Sequence, residues 1–199
     1  MLIKQNRQII LASSSKIRAK ILAEHGLKFE IIKPFYDEDN EKNFLPKMSC
    51  QDLSIFLAQK KALSVSEKFR DAIVIGVDQV CEFQKNAISK AQNVDQAIKQ
   101  LTQFNGKIHY QNSGLVVCEN NNIIFENFTK VRLKMRKLTS KQIQDYVIFE
   151  QSFGCAGSYK YESLGKHLFE NINGDYFAVL GLSIQELLNF LHQNKIITI

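Results

Sequence analysis

The chain has 199 residues, 45% hydrophobic and 23% charged, the range of an ordinary globular protein in which one core of workable size, or two lobes, can form. Twenty-six Lys+Arg against 20 Asp+Glu leave a net charge of +6, which favours an anionic partner without choosing between nucleotide, nucleic acid and acidic membrane surface. Four scattered cysteines with no CxxC pair give no support to zinc or thioredoxin-like chemistry and suit reduced thiols; no stretch nears the roughly 18 apolar residues of a membrane span, and the N-terminal apolar run is too short for a signal peptide, so a cytoplasmic protein is expected.

Ile9-Ile10-Leu11-Ala12 predicts a short buried strand, and Ser13-Ser14-Ser15 leads from it into a helix through Arg18 to His25, stopped by Gly26. Ser49 with Asp52 resembles a capping box before LSIFLAQKKALSV, an amphipathic helix. Ala72 to Val77 is continuously apolar and β-branched, as a strand covered on both faces would be, and is expected to end before Asp78. Asn93 and Gln96 open a helix with Ala97, Leu101 and Phe104 on one side. Leu115–Cys118 and Ile123–Phe125 flank a hairpin turn at Glu119–Asn122. Thr129 to Arg136 alternates strictly, apolar on one face and cationic on the other. Thr139 with Gln142, and Ser183 with Glu186, predict two further capped helices, the last burying Leu187, Leu188 and Leu191. Strand-like and helix-like segments alternate with no linker or repeat, which argues for one α/β domain over residues 1–199.

Several local patterns can carry chemistry. A buried strand running through a hydroxyl-rich turn into a helix presents backbone N–H groups at a positive dipole end, which suits phosphate; Ser13 and Ser15 add hydroxyls, Lys16 and Arg18 add charge. Ser15 would do the same as an ordinary helix cap. Asp78, at the carboxyl end of an apolar strand, can deprotonate a water, hold a metal or merely cap a turn. Asp37-Glu38-Asp39 offers hard oxygens of the kind Mg²⁺ takes, and equally reads as a solvated loop. Lys61 and Lys90 taken alone are ordinary surface lysines. The cationic face of Lys130, Arg132, Lys134 and Arg136 fits the wet side of an antiparallel sheet, and without interleaved aromatics no nucleic-acid stacking platform is indicated. His109 and His167 lack metal-ligand spacing, and no GxSxG is present.

The order of these segments says more than any one of them. LASSSKIRAKIL, Asp37-Glu38, AQKKA, VIGVDQV, ISKAQNVDQA, CAGSYKYESLG and INGDYFAVLGLS together resemble the Maf family of nucleotide pyrophosphatases, from about Leu11 to Leu182. The resemblance implies an elongated α/β fold of the Maf/ITPase-like kind, a twisted mixed sheet flanked by helices, with a cleft between two lobes. It implies hydrolysis of a nucleoside triphosphate to monophosphate and pyrophosphate with a divalent cation, Mg or Mn, and it suggests a homodimer. GVDQVC and CAGSYKYES resemble the 7-methyl-GTP pyrophosphatase branch; a dTTP- or UTP-type hydrolase and a non-catalytic nucleotide- or nucleic-acid-binding protein tied to septum formation are the alternatives. Carried over by position, Asp78 is the catalytic proton acceptor. Ser13, Ser15, Arg18, Lys61 and Lys90 bind substrate, Ile17, Gln79 and Glu162 set specificity, and Glu38 with Asp78 holds metal. The chain departs from the family pattern at Lys16, Ile17 and Ala91; Ile17 removes a charge or a ring from the specificity region.

Overall fold

The computed structural model describes residues 2–37 and 47–199. Strand β1 (Lys4–Gln5) is followed by β2 (Ile9–Ala12), helix α1 (Lys16–Glu24), β3 (Glu30–Ile31), α2 (Cys50–Ser66), β4 (Ile73–Phe83), β5 (Asn86–Ile88) and α3 (Val94–Phe104). Then come β6 (Ile108–Glu119), β7 (Asn122–Met135), α4 (Ser140–Glu150), a 3₁₀ turn (Leu164–Leu168), β8 (Phe169–Asn173), α5 (Tyr176–Val179), α6 (Ile184–Gln193) and β9 (Ile197–Thr198). The main sheet runs β3-β2-β4-β6-β7-β8, with β5 added to β4. β2 lies parallel to β3 and β4, whereas each neighbouring pair in the run β4-β6-β7-β8 is antiparallel, so the sheet is mixed.

Strand β4 does not stop before Asp78, as its apolar run suggests; it continues to Phe83. The polar residues do not break it, because β6 pairs with it from Val74 to Glu82 and satisfies its backbone along one whole edge. What ends early is the neighbour on the other edge. β2 is registered against β4 only as far as Ala12 opposite Gly76, and β5 takes up pairing again at Cys81 opposite Ile88. Residues 77–80 are therefore left without a strand on that edge. The gap positions the site.

Helix α2 lies directly on the sheet beside this gap. A Cβ on Gly76 would meet the Ala58 carbonyl oxygen at 2.4 Å, and one on Gly114 the Ser54 carbonyl oxygen at 2.4 Å. Only hydrogen fits at either position. Ser54, Ala58 and Ala62 recur at helical spacing on the buried face, so small residues meet glycines and the backbones close up. Lys61, within a turn of Ala58, is thereby carried over β4.

Other local expectations hold with two corrections. Asn120 and Asn121, at φ +48° and +59°, make the two-residue hairpin turn joining β6 and β7. Thr139 and Gln142 form a reciprocal capping box. Ser49 caps α2 by accepting from the Asp52 amide, but the Asp52 side chain takes the Ser49 hydroxyl instead of its amide, so the box is only half made. Ser183 precedes α6 without a side-chain cap; its hydroxyl donates to Thr129 Oγ1 at 2.8 Å, because a strand partner lies closer to hand than the first helical turn.

Apolar packing falls into two lobes that share the long strands. Leu11, Ile75, Leu115, Leu187 and Leu191 form the core of one lobe on one face of the sheet, and Val74 and Val116 pack with Ala58 of α2 on the other face. Phe104, Leu101, Leu133, Ile143 and Val147 form the core of the other lobe, around α3 and α4. Tyr161 packs against both. All four cysteines are free thiols.

Candidate active site

A cavity of about 480 Å³ opens beside the unpaired edge of β4. Ser13, Ser15, Ile17, Arg18, Lys61, Asp78, Gln79, Lys90 and Glu162 all line it. Glu38 lies outside the described residues, as does Asp39; Asp37 is exposed and is not among the lining residues. Among the described lining residues the cations are Arg18, Lys33, Lys61 and Lys90 and the carboxylates Asp78 and Glu162, so positive charge is in excess.

The sheet pleat sends Asp78 and Gln79 to opposite faces. Asp78 faces α2, is only 6% exposed, and ion-pairs with Lys61. Taking the ammonium away would leave a buried carboxylate uncompensated, so each partner holds the other in place. Gln79 faces the other way and donates from Nε2 to the Ala178 and Val179 carbonyls, both at 2.9 Å. Those carbonyls belong to the C-terminal turn of α5, where helix geometry leaves spare acceptor capacity; the Ala178 carbonyl also accepts from the Gly181 amide at 3.0 Å. Both amide hydrogens are thus spent, and the Gln79 carbonyl oxygen is the atom left to meet a ligand.

The serine turn caps α1 and also lines the cavity. Ser15 Oγ accepts from the Arg18 amide at 3.5 Å, and Ser13 Oγ accepts from the Ser15 amide at 3.2 Å. Arg18 bonds across the gap: Nε donates to the Gly181 carbonyl at 2.9 Å, and Nη1 to the Val77 carbonyl at 2.9 Å and to Ser13 Oγ at 3.3 Å. Its guanidinium therefore does for β4 at this point what a neighbouring strand would do elsewhere.

The opposite wall is the irregular stretch from Gly154 to Glu162. Gly154 donates to the Ala91 carbonyl at 2.8 Å, which ties this wall to the segment carrying Lys90. Tyr159 is buried; its hydroxyl accepts from Gln111 Nε2 at 2.8 Å and lies 3.0 Å from His109 Nε2. His109 stacks on Phe104, and burial drives its imidazole down to about 3, so it is a neutral core residue. Burial likewise raises the Cys155 thiol on the cavity wall, with Glu162 adding to the effect. Lys33, Tyr36, Cys155 and Tyr161 also line the cavity and were not singled out from sequence. Cys155 and Tyr161 lie inside CAGSYKYES, and the position of that motif beside Glu162 was the available signal.

The cationic face of β7 is largely engaged within the chain. Lys130 ion-pairs with Glu82 at 2.7 Å, Lys134 donates to the Gly106 carbonyl at 2.6 Å, and Arg136 to that of His167 at 3.1 Å. No helix of the described residues is long and apolar enough to cross a membrane.

Fold and site define a mixed α/β protein with a net-cationic cavity set into a gap of its central sheet. The chain belongs to the Maf-like protein family, whose sequence model matches residues 8–194. A nucleoside triphosphate pyrophosphatase of Ruegeria pomeroyi is 37% identical over 92% of this chain and 94% of its own. A 7-methyl-GTP pyrophosphatase of Bartonella henselae is 33% identical over 95% of this chain and 96% of its own. The solved HAM1 protein of Coxiella burnetii aligns loosely, with a TM-score of 0.41 and 12% identity over 65% of this chain and 73% of that one.

Proposed function

We propose that the chain is a nucleoside triphosphate pyrophosphatase that cleaves between the α and β phosphates, with 7-methyl-GTP as its preferred substrate. One observation carries the reading: a buried carboxylate, Asp78, shares a cavity with a helix-opening serine turn, Arg18, Lys61 and Lys90. The names of the relatives in Ruegeria and Bartonella support the reaction and the substrate respectively.

In this reading the triphosphate oxygens face the Ser13–Ser15 turn, Lys61 and Lys90. Lys61 has three donors, enough to hold Asp78 and a phosphate oxygen together. Asp78 accepts a proton from a water as the water oxygen bonds to the α phosphorus; the bond from that phosphorus to the α,β-bridging oxygen breaks, and pyrophosphate departs. Arg18 keeps the turn and β4 in register through the Val77 and Gly181 carbonyls, so the backbone N–H groups stay aimed at the anion.

A divalent cation of the Mg or Mn kind would be held by a hard carboxylate oxygen of Asp78, since such ions take one or two carboxylates alongside phosphate oxygens; among the described residues no cluster of three such ligands forms. Glu38 would be the second. When bound, the cation neutralises charge developing on the phosphates. Glu162 supplies the base end, where a carboxylate accepts from the N1–H and exocyclic amine edge of a guanine. Ile17 and Gln79 complete the specificity set.

The deciding experiment is a panel of nucleoside triphosphates including 7-methyl-GTP, dTTP and UTP, assayed with Mg²⁺ and analysed for products. Monophosphate and pyrophosphate, fastest from 7-methyl-GTP, are expected. Orthophosphate as the primary product, or no turnover of any nucleotide, overturns the reading. A faster reaction with dTTP or UTP overturns the substrate assignment alone.

A further inference from the structure

We propose that Tyr161 is the stacking face for the base, and that with Glu162 it makes the site select a positively charged purine over its neutral counterpart. The inference rests on the pyrophosphatase reading for its ligand, and its test is arranged so that the two can fail separately.

The two tyrosines of CAGSYKYES lie in different surroundings. Tyr159 is enclosed, and its hydroxyl is tied to Gln111 and His109. Tyr161, two residues on, is half-buried, lines the cavity, and precedes Glu162 directly. Its ring is braced by Phe169, with centroids 5.9 Å apart at 59°, and by Tyr176, 5.7 Å apart at 58°. Both contacts are tilted. They hold the ring, which remains partly exposed at the cavity wall, so little side-chain freedom remains to be lost when a ligand stacks there.

Within a net-cationic cavity, the neutral ring and the Glu162 carboxylate next to it are the features that suit a cationic guest. Burial raises the Tyr161 hydroxyl above its ordinary range, with Lys166 pulling the other way, so the ring remains a neutral phenol. The Lys166 ammonium sits over the outer ring, 5.4 Å from the Tyr176 centroid. A neutral aromatic face attracts a cation through its quadrupole, and the neighbouring carboxylate adds Coulomb attraction. A ring with N–H donors and a positive charge, such as a 7-methylguanine, uses both. A neutral guanine uses only the carboxylate and ordinary stacking.

The test measures equilibrium binding of 7-methyl-GMP and of GMP by calorimetry, which needs no turnover. Wild-type protein is expected to bind 7-methyl-GMP more tightly than GMP. Tyr161→Phe should keep that preference. Tyr161→Leu and Tyr161→Met should weaken 7-methyl-GMP by about 5- to 30-fold, the range of a desolvated cation–π contact, while GMP weakens by less than about threefold. Retained GMP binding doubles as the check that a variant is folded, and the unbranched, adaptable Met side chain gives a second variant if the Leu variant does not fold. Equal affinity of the wild type for the two ligands, or equal weakening of both in the variants, overturns the proposal. Wild-type preference for 7-methyl-GMP without pyrophosphate release from any triphosphate defeats the pyrophosphatase reading and leaves the stacking assignment standing.

Discussion

The two ends of the cavity are built in contrasting ways. At one end, Ser13–Arg18, Lys61 and Asp78 sit on or beside regular elements: a helix cap, a helix resting on glycines, and a strand paired along its other edge. At the other end, Gly154 to Glu162 is a run of turns, with Gly154, Gly157 and Ser158 all at positive φ, braced by the side chains of Gln111, His109 and Gln100. Backbone hydrogen bonding fixes the first end to within small displacements, which suits bond breaking. Side-chain packing fixes the second, where one substitution can alter what is accepted without disturbing the strands. The proposed division of labour follows: chemistry at the sheet gap, selectivity at the turns.

Perturbing each end separately sharpens that contrast. The largest effect is expected from Asp78→Asn. The amide oxygen still accepts from Lys61, so thermal unfolding stays close to wild type, while kcat/KM falls by about 10²- to 10⁴-fold; near-normal turnover would remove Asp78 from the chemistry. Lys61→Met strands the Asp78 carboxylate, only 6% exposed, and should cost about 3–5 kcal/mol in urea unfolding as well as activity. A variant as stable as wild type would mean the pair contributes nothing to folding.

At the other end the signature is dependence on pH. Burial lowers His109 from its ordinary 6.5 to about 3, so the unfolded chain takes up a proton below about pH 6.5 that the folded chain refuses. Stability therefore falls as pH drops from about 6.5 toward 3, and this residue should account for a loss on the order of 2 kcal/mol between pH 7 and pH 5. His109→Gln keeps a polar group beside Tyr159 but cannot titrate, so its unfolding free energy should vary less over that interval; parallel curves would contradict this. The smallest effect is expected from Glu162→Gln, whose exposed carboxylate is screened by water. It should move the kcat/KM ratio away from 7-methyl-GTP by up to about fivefold. An unchanged ratio across the nucleotide panel would detach Glu162 from base recognition.

Much of the fold was legible from local patterns. The buried strand at Ile9–Ala12, the α1 stop at Gly26, the Asn120–Asn121 turn and the Thr139 capping box each depend on residues a few positions apart. The gap at residues 77–80 was not, because it is set by where β2 stops and β5 begins, two pairings distant in sequence. Asp78 was thus identified as a candidate while its setting was misread: it lies in mid-strand, and it is the neighbouring strand that runs out. Ser183 escaped for the same kind of reason, its hydroxyl going to a strand residue 54 positions away. Lys33 reaches the cavity only through tertiary packing, and nothing in its immediate neighbours announces it.

The central claim is that water attacks the α phosphorus in the cavity beside Asp78. Hydrolysis of a nucleoside triphosphate in ¹⁸O-water, with both products read by mass spectrometry, tests it directly. The account predicts one ¹⁸O in the nucleoside monophosphate and none in pyrophosphate. Label in pyrophosphate or orthophosphate would show attack at the β or γ phosphorus and contradict it.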